Sequence, residues 1–347
     1  MSLTKLTAGV ACGFLLVAPL CSAQGSIFVA ADIHASSEPV SVNDMVHGWD
    51  GDFTPGEYAY ADVRLNTGVR YHDWQVSSEK RWYYYLSFSE DMSVFYYNTE
   101  HGGSADKDLD LELDVDSFKA DGIRLGKTFS LPVWQIHSSL AVYKVAEYQF
   151  GELDGVSLAG SGDSASATLD YHFDEDKILE YPVSDTQGYG ASLDIAMTYS
   201  GLRDWNLSLQ MKDIVNRWYF RDAGFTTGCI NIGSSAGSTC SSSGAASGRA
   251  GQKDFYTRIP FTLMAAAELK NTGVSFSAYR HERYLRFSGE KAWDSRMGEF
   301  AVSLHSTRQL GLHWRSGWHQ LSVISDDHRF SHARDLQIRL GVNFHWL

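Results

Sequence analysis

The residues that could do chemistry are histidines and serines that fall close together along the chain. His137, Ser138 and Ser139 are consecutive, but neighbours in a strand point to opposite faces, so His137 and Ser138 form no catalytic dyad. His305 and His345 fall on polar faces and are expected to join hydrogen-bond networks. No lipase or protease motif accompanies them. The sequence therefore assigns no catalytic residue, no metal ligand and no cofactor.

The most regular charged pattern is a row of carboxylates at alternate positions. Its members are Asp108, Asp110, Glu112, Asp114 and Asp116. Alternate residues of a strand lie about 6.6 Å apart on one face, so the row predicts a continuous negative stripe. Elements that could position such a stripe must be strands with one polar and one apolar face.

Alternation with a period of two is the dominant pattern after residue 23, and it predicts such strands. It is clearest near the C-terminus, where apolar residues from Leu336 to Trp346 alternate with small and polar ones. The alternation and the turn residues predict fourteen strands between residues 58 and 346, with twelve as the alternative. Three of the predicted strands are 92–99, 108–118 and 123–131.

The first residues indicate export. Lys5 precedes an apolar run, and the small residues Cys21 and Ala23 have the spacing of a signal-peptidase site. We therefore expect a signal peptide over residues 1–23. Cys229 and Cys240 would then meet an oxidising compartment, and we expect a disulfide between them.

Composition narrows the classes of function. The chain has 29 Lys and Arg against 42 Asp and Glu, which gives a net charge of -13. This excess of carboxylates repels phosphate backbones, so we expect no nucleic-acid partner. Aromatic residues make up 13% of the chain, while the mean hydropathy is only -0.25. Strands with one face towards lipid and one towards water give this combination, because the hydropathies of the two faces average out.

With these features the chain resembles the Gram-negative outer-membrane β-barrel class over nearly all of its length after residue 23. The topology is similar to that of porins, or of the fourteen-stranded fatty-acid transporters with their N-terminal hatch, although no family motif is present. The resemblance implies an all-β, antiparallel, up-and-down transmembrane barrel in the outer membrane. The last strand, with Trp346 before Leu347, resembles the insertion signal that the barrel-assembly machinery reads.

The expected organisation has three parts. Residues 1–23 form the signal peptide, residues 24–57 form an N-terminal periplasmic segment or a plug in the lumen, and residues 58–347 form the barrel. A stretch at 221–254, rich in Gly and Ser, is expected outside as a lid or as an inert surface loop.

The polar faces of the strands are expected to line the lumen. These lumen-lining residues are the acidic row Asp108, Asp110, Glu112, Asp114 and Asp116, together with Asp170, Asp194, Arg64, Arg70 and Arg339. Opposed acidic and basic walls would create a transverse field that favours small polar solutes. Alternatively, the charges neutralise one another in a packed interior that does not conduct.

The sequence thus predicts a porin-like channel for passive or facilitated passage of small solutes. An outer-membrane enzyme acting on lipid or glycan, and a structural or assembly barrel with a closed lumen, are the alternatives. The expected partners are outer-membrane lipids, the barrel-assembly machinery and small solutes, and the protein is expected to be a monomer.

Overall fold

The computed structural model describes residues 25–176, 181–232, 240 and 246–346, and the expected signal peptide lies outside them. The described residues form β-strands and two helices. The strands are β1 (Gly25–Ser37), β2 (Tyr58–Tyr71), β3 (Trp74–Phe88), β4 (Leu109–Ser130), β5 (Trp134–Ser157), β6 (Ala165–Phe173), β7 (Gln187–Tyr199), β8 (Trp205–Ile232), β9 (Ala246–Thr257), β10 (Thr262–Leu269), β11 (Val274–His281), β12 (Tyr284–Ser295), β13 (Gly298–His305), β14 (Leu310–Arg315), β15 (His319–Ser325) and β16 (Asp335–Trp346). The helices are α1 (Val42–His47) and α2 (Glu90–His101).

All the strands join one antiparallel sheet that closes on itself. β1 pairs with both β2 and β16, and β8 pairs with β10. β6 and β7 follow each other along β5, while β9 and β10 do the same along β8, so the sheet is a barrel of 14 passes. The predicted all-β antiparallel barrel is confirmed, although β9 pairs with β8 alone and so keeps one edge without a strand partner among the described residues.

The predicted N-terminal plug is wrong for most of its length. Residues Gly25–Ser37 form β1, which pairs in register with β2 and β16 and closes the barrel. The apolar residues of this strand alternate with polar ones, as in Ile27, Val29 and Ile33, but the alternation was too weak to be recognised beside its small residues. Residues 38–57, with α1, connect β1 to β2, and Trp49 and Phe53 contact Tyr96 and Tyr97 of α2, so residues 25–37 belong to the barrel wall.

The predicted strand 92–99 is helix α2. Ser89 accepts a hydrogen bond from the Met92 N–H, acidic residues occupy the first turn, and Gly102 ends the helix with a φ of 66°. Phe95 of this helix packs against Leu109 and Leu111. The strands predicted at 108–118 and 123–131 are a single strand, β4. The predicted count of fourteen agrees with the structure only because errors cancel: among other errors, β1 is missing from the predicted strands, whereas α2 is counted as a strand and β4 is counted twice.

The outer surface of the barrel carries an apolar belt. Exposed members of the belt include Val29, Leu65, Val76, Ile123, Leu125, Leu140, Val142, Phe276, Leu285, Phe287, Leu312 and Leu340. Exposed aromatic residues gather where the belt meets the short turns, and they include Tyr71, Trp74, Phe129, Trp134, Trp293 and Trp318. A charged rim bounds the belt on the other side, where Lys80 pairs with Asp121 and Lys119 with Glu147.

The two ends of the barrel differ. Short turns such as 72–73 and 131–133 lie at one end, and long connections such as 38–57 and 89–108 lie at the other. In outer-membrane barrels, short turns face the periplasm and long connections face the outside, so the two ends are called periplasmic and outer below. No helix among the described residues is long and apolar enough to span a membrane.

The predicted disulfide is confirmed, but the predicted long loop around it is much shorter. Cys229 and Cys240 are bonded, with their Cα atoms 5.7 Å apart. β8 continues to Ile232 and β9 begins at Ala246, so most of the stretch 221–254 is a strand pair that extends the wall outward.

Candidate functional site in the barrel lumen

The centre of the lumen holds arginines and carboxylates in direct contact. Arg64 on β2 and Arg81 on β3 are cross-strand partners, and both reach Asp213 on the far wall. Arg81 Nη1 donates to Asp213 Oδ1 at 2.7 Å, and Arg64 Nη2 donates to Asp213 Oδ2 at 2.6 Å. Since β8 stands across the barrel from β2 and β3, these bonds cross the lumen.

Further ion pairs complete this centre. Arg124 on β4 donates to Glu79 Oε2 at 2.7 Å and to Asp194 Oδ2 at 2.6 Å. Asp62 accepts from Arg81 Nε at 2.9 Å and from Arg64 Nε at 3.0 Å. The central ion-pair network consists of Arg64, Arg81, Arg124, Asp62, Glu79, Asp194 and Asp213. Every charge in it has a partner of opposite sign, as a low-dielectric interior requires.

Asp213 is placed by an irregularity in the wall. Its φ is 58°, which is uncommon for a residue with a side chain, and the β7–β8 register shifts between Leu193 and Ile195. The backbone N–H of Asp213 donates to Asp194 Oδ1 at 2.7 Å, and Ser192 Oγ donates to Asp213 Oδ1 at 2.6 Å. The bulge thus aims the carboxylate at the two arginines, and strain of this kind gathers at functional sites.

A layer of aromatic side chains covers the network on its outer side. Trp218 and Phe118 are fully buried, with ring centroids 4.0 Å apart, and Tyr83 stacks on Phe118 at 5.3 Å. A Cβ at Gly190 would lie 2.2 Å from the Trp218 ring, so glycine is required there. The aromatic layer consists of Tyr83, Phe118, Tyr143, Tyr148, Phe150, Trp218 and Phe220.

The remaining part of the cross-section is also bridged. Lys212 on β8 donates to Asp32 Oδ2 at 2.5 Å, and Arg339 on β16 donates to Asp32 Oδ1 at 3.2 Å. His34 contacts Tyr279 at 3.1 Å beside them. A cavity of about 20 Å³ is left between these groups, which is room for about one water molecule.

An outer vestibule opens above the aromatic layer, with a volume of about 750 Å³. Its wall carries the carboxylates Asp114, Asp116, Glu152, Asp170 and Glu282, together with Arg258 and Arg283. Asp114 and Glu152 are direct cross-strand partners, and Glu152 and Asp170 are the next pair along the same row.

The charges of the outer vestibule are not compensated as those of the centre are. Among the described residues, no Lys or Arg forms an ion pair with any of the five carboxylates, and Arg283 pairs instead with Glu57. On β4 the lipid-facing residues end near Asp121, so Asp116 lies beyond the membrane. Burial, reinforced by the neighbouring Asp114 and Glu282, raises the pKa of Asp116 to about 7.

His172 adds a second unusual group to the outer vestibule. Its ring stacks on Phe255 with centroids 3.8 Å apart, and its exposed fraction is 8%. The Nε2 atom has no hydrogen-bond partner among the described residues. Burial, together with Lys253, lowers the pKa of His172 to about 4, so the ring is neutral at ordinary pH.

An inner vestibule of about 420 Å³ lies at the periplasmic end. Arg70, His72 and His137 line it, and His137 contacts Thr128 Oγ1 at 3.1 Å. The lumen is therefore an hourglass, in which two vestibules are separated by the central ion-pair network and the aromatic layer.

The predicted lumen-lining residues lie in different parts of the barrel: the centre, the two vestibules and the outer end of β4. Arg64 and Asp194 meet in the centre, and Arg339 lies beside it. Asp114, Asp116 and Asp170 line the outer vestibule, and Arg70 lines the inner one. Asp110 and Glu112 are exposed farther out on β4, while Asp108 precedes the strand and accepts a hydrogen bond from Ala159.

Sequence reasoning missed most of the central ion-pair network. Arg81, Arg124, Asp62, Glu79 and Asp213 carry it but were not singled out. Glu79 and Arg81 alternate with outward-facing residues of β3, and Asp62 and Arg64 do the same on β2. Charged residues at alternate positions of aromatic-rich strands are the signal that could have found three of these missed residues, Asp62, Glu79 and Arg81, whereas the bulge at Asp213 leaves no such signal.

A serine and two histidines also meet inside the wall. Ser303 Oγ lies 2.8 Å from His313 Nε2 and 2.9 Å from His305 Nε2, and His313 Nδ1 contacts Ser322. Ser303 is only 2% exposed, so a substrate cannot reach its hydroxyl in this arrangement. The cluster fits a hydrogen-bond network better than a nucleophilic site.

No protein-family model matches the chain, and no curated protein matches it. Among solved structures, a deletion mutant of the monoaromatic hydrocarbon channel TodX has a TM-score of 0.45 at 9% identity, covering 93% of this chain and 90% of that one. The Pseudomonas putida toluene transporter TodX gives 0.38 at 11% identity, with 92% and 87% covered. The outer membrane protease OmpT from Escherichia coli gives 0.22 at 6% identity, with 93% and 96% covered.

The class of the protein follows from its own surface. The apolar belt is wide, continuous around the wall, and bounded by aromatic residues on one side and charges on the other. In water such a surface would drive aggregation. A closed barrel that turns an apolar belt outward is stable across a lipid bilayer, so the surface of this chain is that of a transmembrane β-barrel.

Proposed function

We propose that the protein is a gated channel for small polar solutes, whose lumen is closed at rest by the central ion-pair network and the aromatic layer. The observation that carries the proposal is the hourglass itself: two vestibules face opposite sides of the membrane and only side chains separate them. A barrel with a purely structural role needs neither vestibule.

The chemistry of the closure supports a gate. Burying ion pairs stabilises a fold little compared with packing apolar residues of similar volume, so a barrel that needed only to be closed could use apolar residues. Ionisable residues at membrane depth mark solute and ion pathways. Bonds from Arg64 and Arg81 to Asp213 join opposite walls through side chains alone, so a rotation of those side chains separates them without breaking the sheet.

The second candidate is a closed barrel without passage. The cavity of about 20 Å³ beside the centre favours it, because that volume admits no solute larger than water. The two candidates differ in what happens when the cross-lumen bonds are weakened.

Solute uptake into liposomes tests the proposal. Purified wild-type protein should give slow uptake of small neutral and charged solutes, and Asp213→Asn should raise the rate severalfold because both cross-lumen arginines lose a charged partner. Asp121→Asn is the matched control, since this carboxylate pairs with Lys80 on the outer surface. Equal, background-level uptake by all three proteins would overturn the gated channel and favour the closed barrel.

A further inference from the structure

The row of carboxylates in the outer vestibule lowers the stability of the folded barrel while no cation is bound. Asp114, Glu152 and Asp170 are consecutive partners across β4, β5 and β6, and all three face the lumen. Like charges directly opposite each other in a sheet destabilise it. Since no Lys or Arg of the described chain pairs with them, the compensation is expected from a ligand that enters from the solvent.

His172 is a second, independent observation, and it indicates which hydrogen-bonding group the ligand has. The ring is more than nine-tenths buried, lines the same cavity, and leaves Nε2 without a partner among the described residues. A buried polar atom without a hydrogen bond costs free energy, and a neutral imidazole nitrogen that lacks a proton accepts an N–H. In the tautomer that carries its proton on Nδ1, Nε2 accepts a hydrogen bond, and an ammonium N–H of a cationic ligand satisfies it.

The spacing of the charges indicates the length of the ligand. Direct cross-strand neighbours have Cβ atoms about 5 Å apart, and alternate residues of one strand are about 6.6 Å apart. Carboxylates spread in this way suit several ammonium groups separated by short methylene chains, whereas a single metal ion needs its ligands to converge on one point. The apolar rings of Phe150 and Phe255 on the same wall would pack against the methylene groups.

We propose that the outer vestibule is a binding site for linear polyamines, in which Asp114, Glu152 and Asp170 pair with the ammonium groups. Where passage is concerned, this inference rests on the proposed function, because it names the solute class that the channel would admit. Binding at the vestibule itself requires no opening of the centre.

Calorimetric titration of the full-length barrel in detergent with spermidine tests the site. We expect saturable binding at low ionic strength, and a loss of affinity of about tenfold or more in the double variant Asp114→Asn/Glu152→Gln. His172→Phe keeps a ring against Phe255 but removes the nitrogen, and it should weaken binding severalfold. Asp121→Asn, a carboxylate on the outer surface, should bind spermidine as the wild type does.

The outcomes separate the binding site from the channel. No binding by the wild type, or equal binding by the double variant, overturns the polyamine site. Tight binding of Ca²⁺ that spermidine cannot displace overturns it in favour of a metal ion. Solute uptake that persists without spermidine binding leaves the channel standing and removes only this inference, whereas spermidine binding without any uptake removes the channel.

Discussion

The centre of the lumen and the outer vestibule treat the same kind of residue in opposite ways. In the centre, each buried carboxylate contacts a guanidinium, and Asp213 accepts from both Arg64 and Arg81. In the outer vestibule, Asp114, Glu152 and Asp170 face one another, and none of them forms an ion pair with a Lys or Arg of the described residues. Charges that compensate one another hold the walls together, and charges left uncompensated favour a ligand from the solvent. The same lumen can thus be closed at its centre and bind a cation in its outer vestibule.

The difference follows from where each set of charges lies. The central network is cut off from water by the aromatic layer, so an unpaired charge there would cost several kcal/mol. The outer vestibule is open to the outside, where water screens like charges and lowers the cost of keeping them close.

Replacing Arg81 by Leu should have the largest effect on stability. Asp62 and Asp213 would each lose a charged partner inside the barrel, and we expect the free energy of unfolding to fall by about 3–5 kcal/mol. Guanidinium unfolding in detergent measures it. Arg283→Leu, which breaks an exposed pair with Glu57, should cost no more than about 1 kcal/mol. Equal losses in the two variants would remove the contrast between centre and mouth.

The pH dependence of stability should reveal Asp116. Its folded-state pKa of about 7 lies above the value of 3.8 for a free carboxyl group, so proton binding stabilises the folded barrel. The stability that Asp116 contributes should therefore be lost as pH rises from about 4 to about 7, so the free energy of unfolding of the wild type, relative to that of Asp116→Asn, should fall over this range. The other ionisable groups that line the same vestibule are Tyr85, Asp114, Glu152, Asp170, His172, Arg258, Glu282 and Arg283. If the free energy of unfolding changes with pH in the same way in the wild type and in Asp116→Asn, the raised pKa of Asp116 is contradicted.

Replacing Asp114 by Asn should have the smallest effect, and of opposite sign. Removing one charge from the row relieves repulsion with Glu152, so the free energy of unfolding should rise by up to about 1 kcal/mol at low salt. Added salt should shrink this gain, because screening already weakens the repulsion in the wild type. A loss of stability instead would mean that Asp114 has a favourable partner in the fold.

The fold was largely predictable from sequence because alternation is a local property of each strand. β16 alternates over its whole length, so its pattern predicts a strand, whereas the many small residues of β1 weaken the same pattern. For α2 the local signals of a helix are the cap at Ser89 and the glycine at 102, which alternation alone does not detect.

The site was less predictable, because its contacts join strands that are distant in the sequence. Arg64 and Asp194 were both expected to face the lumen, but their contact across the barrel depends on the strand order. The position of Asp213 depends on a bulge, which shifts the alternation on which sequence reasoning relies. Of the two alternatives for the interior, opposed charged walls or neutralised charges, the contacts at the centre correspond to the second.

Single-channel recording in planar bilayers measures whether the cross-lumen bonds to Asp213 hold the channel shut. The wild type should be closed most of the time with brief openings, and Asp213→Asn should be open for a much larger fraction of the time. Asp121→Asn should behave as the wild type does. A wild-type protein that conducts steadily, or an Asp213→Asn variant that never conducts, would contradict the account.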